Sequence, residues 1–218
     1  MQIAIDGPAG AGKSTIAKLV AKNMGFIYVD TGAMYRAMAL YLMRSGFDTE
    51  KPESAAELVK DADISLKYEN GEQVVLIGDE NVNSLIRTPE VSQMASVTSA
   101  IGDVRKRLVA LQQELAAKES VVMDGRDIGS VVLPNAEVKV YLTASVECRA
   151  KRRYDEMTAK GETCDLEETK KDIEERDYRD MHRENSPLVQ AEGAVLVDSS
   201  DMTIDEVVNR IMELVKTA

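Results

Sequence analysis

The chain has 218 residues, 44% of them hydrophobic and 30% charged, with a formal net charge of −11 at neutral pH. That length allows one sizeable core with lobes attached, or at most two small domains, and the acidic field, with no basic stripe interleaved with aromatics, argues against a nucleic-acid partner. Two cysteines (Cys148, Cys164) without a CxxC pair and one histidine (His182) exclude most zinc arrangements and fit a reduced, cytoplasmic setting, while the best apolar run, residues 37–43 between Arg36 and Arg44, is too short to span a bilayer.

Short apolar runs alternate with helical patterns, which predicts an α/β fold with a parallel sheet and crossover helices. Met1 leads straight into a strand at 2–6, with no cationic leader or apolar secretory segment. Next comes Gly7-Pro8-Ala9-Gly10-Ala11-Gly12-Lys13-Ser14, followed by Thr15 and a helix to Met24 that stops at Gly25. This matches GxxxxGK[ST] in its proper setting. The glycines let backbone N–H groups converge on phosphate oxygens, and the helix N-terminus adds partial positive charge. Lys13 is then expected to reach the β- and γ-phosphates of a nucleotide, and Ser14 to offer its hydroxyl to Mg²⁺.

A second strand at 27–29 precedes Asp30-Thr31-Gly32-Ala33-Met34-Tyr35-Arg36. Thr31 is a suitable N-cap for a helix over 33–44, and Arg36 is one turn further in, where it either meets a phosphate or lies in solvent. Asn70-Gly71 between apolar runs at 64–68 and 74–77 predicts a small antiparallel hairpin apart from the parallel sheet. A strand at 121–124 ends in Asp124, at the carboxyl edge where ligands of parallel sheets bind. Asp124 is therefore a second candidate for Mg²⁺, or a plain turn cap. Directly after it, Gly125-Arg126-Asp127-Ile128-Gly129 makes a tight turn offering both charges to the cleft, or a salt-bridged turn with no ligand.

A further strand at 138–142 leads to a charge-dense stretch, 149–165, that contains Arg149, Lys151, Arg152 and Arg153 and no sustained apolar face. It reads as a mobile flap. In the following helical stretch Arg176, Asp180 and Arg183 share one face at i, i+4 and i+7. Such a face is either solvated with weak ion pairs or a clamp for an anion. The last strand, 195–198, and a helix opening on the capping box Thr203-Ile204-Asp205-Glu206 complete the pattern. The five strands are expected to be buried on both faces.

No Asn-Lys-x-Asp segment marks a GTPase. A kinase for another small acceptor, such as UMP or a hydroxy acid, and a nucleotide-sensing protein without turnover are the alternatives. A coupled assay of ADP release separates them.

Taken together the motifs resemble the bacterial cytidylate kinases over the whole chain, through the cradle, DTGAMYR, the hairpin, the 96–105 stretch, DGRDIG and ERDYRDMHR. The resemblance implies a monomeric enzyme with a core (1–30, 105–148, 166–218), an acceptor lobe (31–104) and a helical lid (149–165), using ATP with Mg²⁺ and CMP or dCMP. It assigns Thr31, Arg36, Arg126 and Arg183 to the acceptor phosphate, and Ser96, Arg105 and Asp127 to the cytosine. Arg176 and Asp180 would hold the sugar, with Arg149, Arg152 and Arg153 meeting the ATP phosphates from the lid. Lys13, Arg126 and Arg183 would serve the transfer itself. The chemistry agrees: a monophosphate brings an ionised nucleophile, so no general base is needed, and catalysis reduces to alignment and charge neutralisation.

Overall fold

The computed structural model describes residues 1–69 and 71–218. In chain order its elements are β1 (Gln2–Asp6), α1 (Lys13–Met24), β2 (Ile27–Asp30), α2 (Thr31–Arg44), α3 (Ala55–Leu58), β3 (Ile64–Glu69), β4 (Glu72–Ile77) and β5 (Glu80–Asn81). There follow α4 (Pro89–Thr98), α5 (Gly102–Lys118), β6 (Val121–Gly125), β7 (Val138–Thr143), α6 (Val146–Ala159), α7 (Leu166–His182), β8 (Val195–Asp198) and α8 (Ile204–Thr217). They fall into two compact units, Met1–Phe26 with Val121–Ala218, and Ile27–Ser120.

In the first unit the strands run parallel in the order β6-β1-β7-β8. Ile3, Ala4 and Ile5 on β1 and Val121, Val122 and Met123 on β6 are all fully buried. Consecutive buried residues mean that both faces of these strands are covered by helices, and α1 packs on β6 and α8. Each large aliphatic side chain so buried contributes about 1.5–3 kcal/mol. β8 differs from the expectation of two-sided burial: it is the edge strand, and Leu196 is 55% exposed. The expected caps of α1 and α8 form. Gly25 ends α1 in the left-handed region (φ 65°), and Thr203 and Glu206 close a reciprocal capping box at the start of α8. Stretch 149–165, read as a flap without an apolar face, is helical through Ala159, and Arg149 and Ala150 are buried along it.

In the second unit β3 and β4 pair antiparallel, Ile64 opposite Ile77 through Glu69 opposite Glu72, with β5 beside β4. Gly71 has φ 81°, whereas its predicted turn partner Asn70 lies outside the described residues. α2 packs on α4 and on β4. Its cap lies one residue earlier than the sequence suggested. Asp30, not Thr31, is the N-cap, and its Oδ1 accepts the Ala33 N–H at 2.8 Å, so Thr31 becomes the first helical residue and is buried.

Candidate active site

Three segments of the first unit meet around Lys13, and a fourth, the start of α6, is tied to the loop before that lysine. The cradle comes first. Gly7 has φ 149°, and a Cβ there would stand 1.9 Å from the Leu142 carbonyl oxygen, so only glycine lets the loop lie against β7. Gly10 and Gly12 also take positive φ, which turns the loop into the start of α1. Lys13 is 6% exposed, and its ammonium donates to the Pro8 carbonyl at 2.7 Å, within its own loop. Burial pushes its pKa well below the usual lysine value. Arg126 and Arg176 push the same way, while Asp124 and Asp180 oppose them. The cradle, the DGRD turn and the charged face of α7 are thus one electrostatic neighbourhood.

Asp124 ends the apolar part of β6, and its Oδ2 accepts the Ser14 hydroxyl at 2.9 Å. The two candidate metal ligands therefore stand together at the mouth of α1. One residue beyond Gly125, Arg126 donates through Nε to Asp180 Oδ2 at 2.8 Å and through Nη1 to the Gly125 carbonyl at 3.3 Å. Burial opposes charge on both partners. Even so, the pair raises Arg126 above the ordinary arginine value and lowers Asp180 below the ordinary carboxylate value. Asp180 is 7% exposed, which removes the solvated reading of this helix face. The sequence spacing pointed to Arg176 and Arg183 as its partners. The hydrogen bond goes instead to Arg126, and Arg183 lies 3.9 Å from Asp127 while donating through Nε to the Ser186 carbonyl.

Of the three lid arginines, Arg149 is 4% exposed and ties the first turn of α6 to the cradle. Its Nη1 donates to the Ala9 carbonyl at 2.9 Å and to Asp177 Oδ2 at 2.6 Å, while Asp177 Oδ1 accepts the Ala9 N–H. Arg152 donates to the Ser199 carbonyl at 2.7 Å, and Arg153 pairs with Glu156 at the half-exposed outer face. Sequence reasoning missed Asp177, because nothing in its spacing distinguishes it from the other acids of α7. It also missed Asp6, whose only signal is a carboxylate ending an apolar strand beside the cradle.

In the second unit Arg36 donates to Asp30 Oδ2 at 3.2 Å, and Arg87 pairs with the same oxygen at 3.5 Å. A Cβ on Gly32 would press on Arg36 Nη1 and Asp30 Oδ1, at 3.1 and 3.2 Å. The hairpin supports this corner. The Gln73 amide accepts the Asp30 N–H at 2.9 Å and donates to the Asp30 carbonyl at 3.2 Å. Arg105, 5% exposed, donates to the Ser99 carbonyl and lies 5.5 Å above the Tyr35 ring. Ser96 Oγ and Arg36 Nε are buried without a hydrogen-bond partner among the described residues, a cost that a polar ligand would relieve.

A sequence profile of the family described as Cytidylate kinase matches residues 3–217. Proteins named cytidylate kinase are similar throughout: one from Ligilactobacillus salivarius is 52% identical over 99% of this chain and 96% of its own length. One from Lactobacillus gasseri is 50% identical over 99% and 94%, and one from Streptococcus pneumoniae 51% identical over 97% and 95%. Among solved structures, an uncharacterized protein from Eubacterium ventriosum (TM-score 0.54, 14% identity, 100% of this chain and 99% of that one) is similar in fold. So is shikimate kinase from Bacteroides thetaiotaomicron (TM-score 0.51, 14% identity, 99% and 98%).

Proposed function

The chain belongs to the cytidylate kinase family and transfers the γ-phosphate of ATP to CMP, and from that premise we propose how its residues divide the work, with dCMP as a second acceptor. The backbone of Gly7 to Thr15, Gly7-Pro8-Ala9-Gly10-Ala11-Gly12-Lys13-Ser14-Thr15, wraps the ATP phosphates, and Lys13 turns from Pro8 to the β- and γ-oxygens. Magnesium, a cation that prefers oxygen ligands, suits the adjoining Ser14 hydroxyl and Asp124 carboxylate and would offset charge on the phosphates. Among the described residues no three His, Cys, Asp or Glu side chains gather as a metal cage, so phosphate and water would supply the other ligands.

Thr31, Arg36, Arg126 and Arg183 bind the acceptor phosphate, Ser96, Arg105 and Asp127 the base, and Arg176 and Asp180 the sugar. The exocyclic amine of cytosine is a donor that needs a carboxylate, and its O2 and N3 need a guanidinium. Uracil would turn a carbonyl towards Asp127, leaving buried acceptors facing each other. Arg149, already seated on the cradle rim, adds its charge beside the ATP phosphates, and Arg152 and Arg153 join it when α6 closes and excludes water. No helix among the described residues is long and apolar enough to cross a membrane. The acidic chain works as a cytoplasmic monomer, without nucleic acid or membrane.

The carrying observation is Lys13 itself, buried in one cluster with the Arg126–Asp180 pair and Asp124. A nucleoside monophosphate panel with Mg-ATP, read by ADP release, tests the reading. CMP and dCMP should be turned over far better than UMP, and equal use of UMP removes the assignment of Asp127. Lys13→Ala should fold and lose on the order of 10²-fold in kcat, since the lysine charge counts most as the γ-phosphate departs. A folded variant with normal turnover removes the cradle mechanism.

A further inference from the structure

The DGRD turn runs into a single π turn, Ile128–Val132, whose N-cap position is Asp127. An aspartate there ordinarily folds back to accept the first exposed N–H groups of the turn. Asp127 makes no such bond. The Ile128 and Gly129 N–H groups donate instead to Asp6, to Oδ1 and Oδ2 respectively, each at 2.7 Å. Asp6 is 3% exposed and ends β1, immediately before the first cradle glycine. The fit is close: a Cβ on Gly129 would meet Ala191 Cβ and Lys139 Cδ at 3.3 Å and Asp6 Oδ2 at 3.4 Å.

We propose that Asp6 is a positioning residue for acceptor recognition: by capping the Ile128 and Gly129 amides from a neighbouring strand, it relieves Asp127 of capping and fixes the DGRD turn to the ATP cradle. This rests on the reading above that Arg126 and Asp127 hold CMP. Two acceptor oxygens are required, because Ile128 and Gly129 present two parallel donors. Both groups are buried, so neither donor can turn to water, and the bonds are of the charge-assisted kind. Burial pushes the Asp6 carboxyl up to about 6 against these two donors, with Asp127 adding to the rise and Lys13 opposing it. From β7, Tyr141 also feels its charge. An ionised Asp6 is therefore held at some cost to the fold, so a neutral side chain of the same shape is not expected to unfold the protein.

Asp6→Asn keeps that shape but can accept only one of the two amides and turns an NH₂ towards the other. Asp127 is then the nearest substitute cap, and folding back would take its carboxylate from the base. The expected result is a folded protein with kcat/KM for CMP down by about tenfold and the CMP-to-UMP preference narrowed by a similar factor. KM for ATP should stay within about twofold, because the cradle's own backbone is untouched. An Asp6→Asn protein with unchanged CMP/UMP preference, or one that merely loses Tm while keeping both ratios, overturns the proposal.

Gly129→Ala approaches the same contact from the turn side and serves if Asp6→Asn does not fold. It should narrow the preference in the same direction with KM for ATP unmoved, and a parent-like preference in a folded Gly129→Ala protein likewise overturns the proposal. Asp127→Asn, run in parallel, separates the two layers. If it leaves the preference intact, the reading of the turn fails and this inference with it. If it narrows the preference while Asp6→Asn does not, only the role of Asp6 fails.

Discussion

The outer face of α6 and the inner face of α7 carry the same sequence device with opposite outcomes. Lys151 and Asp155 on α6, and Arg176 and Asp180 on α7, are each a cation followed four residues later by an acid. On α6 the pair closes on itself, both side chains being more than half exposed, and Arg153, Glu156 and Lys160 extend the ladder in water. On α7 Asp180 is buried and hydrogen-bonds Arg126, a residue from a distant turn. In water such a pair gains little over hydration, and salt screens it further. In the interior each charge has lost its hydration, so a partner becomes obligatory and its loss costly. Spacing alone is therefore no guide to what a charged helix does.

Asp180→Ala puts the greatest weight on that contrast. It takes the hydrogen-bonded carboxylate from Arg126, whose side chain is only 19% exposed, which should cost about 3 kcal/mol in urea unfolding and more than about tenfold in kcat/KM for CMP, with KM for ATP little changed. Combined with Arg126→Ala the losses should fail to add, by about 1–3 kcal/mol. Strictly additive, small effects would put α7 in the same class as the outer face of α6.

Arg149→Met asks whether the buried ion pair of α6 behaves like that of α7. Asp177 would stay buried without its cation and the Ala9 carbonyl would lose a donor, so about 3 kcal/mol of stability should go. KM for ATP should rise severalfold while KM for CMP holds. A variant as stable as its parent would mean that the ion pair does not seat α6 on the cradle.

The third test uses pH. Asp6 keeps its proton to about 6 in the folded chain, against an ordinary value of 3.8. Between those values the fold binds a proton that the unfolded chain has released, so the contribution of Asp6 is fully present below about pH 4 and lost as pH rises through 6. Its size is about 3 kcal/mol at the outside. Unfolding of the parent and of Asp6→Asn from pH 4 to 7 should show the variant gaining on the parent across that window. A constant difference between the two proteins would show that Asp6 carries no such linkage.

Asp155→Asn on α6 should produce the smallest effect, a stability change within about 0.5 kcal/mol that fades with added salt. A loss comparable to that of Asp180→Ala would erase the distinction between the two faces.

What was legible in the sequence was local. The strand–glycine–helix order of the cradle, the αL stop at Gly25, the Thr203–Glu206 capping box and the hairpin around Gly71 depend on residues within a few positions of one another. Backbone sterics and short-range hydrogen bonds decide them wherever the chain goes. The family pattern likewise singled out Lys13, Ser14, Arg126 and Asp180 as residue types. Only the tertiary structure decided their partners. Asp180 could be matched to Arg176 and Arg183 by spacing, yet its bond spans 54 positions to Arg126. Asp6 reaches 122 positions to Ile128, and Arg149 reaches 140 to Ala9. Leu196 looked like core and stands on an edge strand. Spacing along a chain says which side chains share a face, but not whether that face is buried, and burial governs how strongly a charge needs a partner and which partner it can reach.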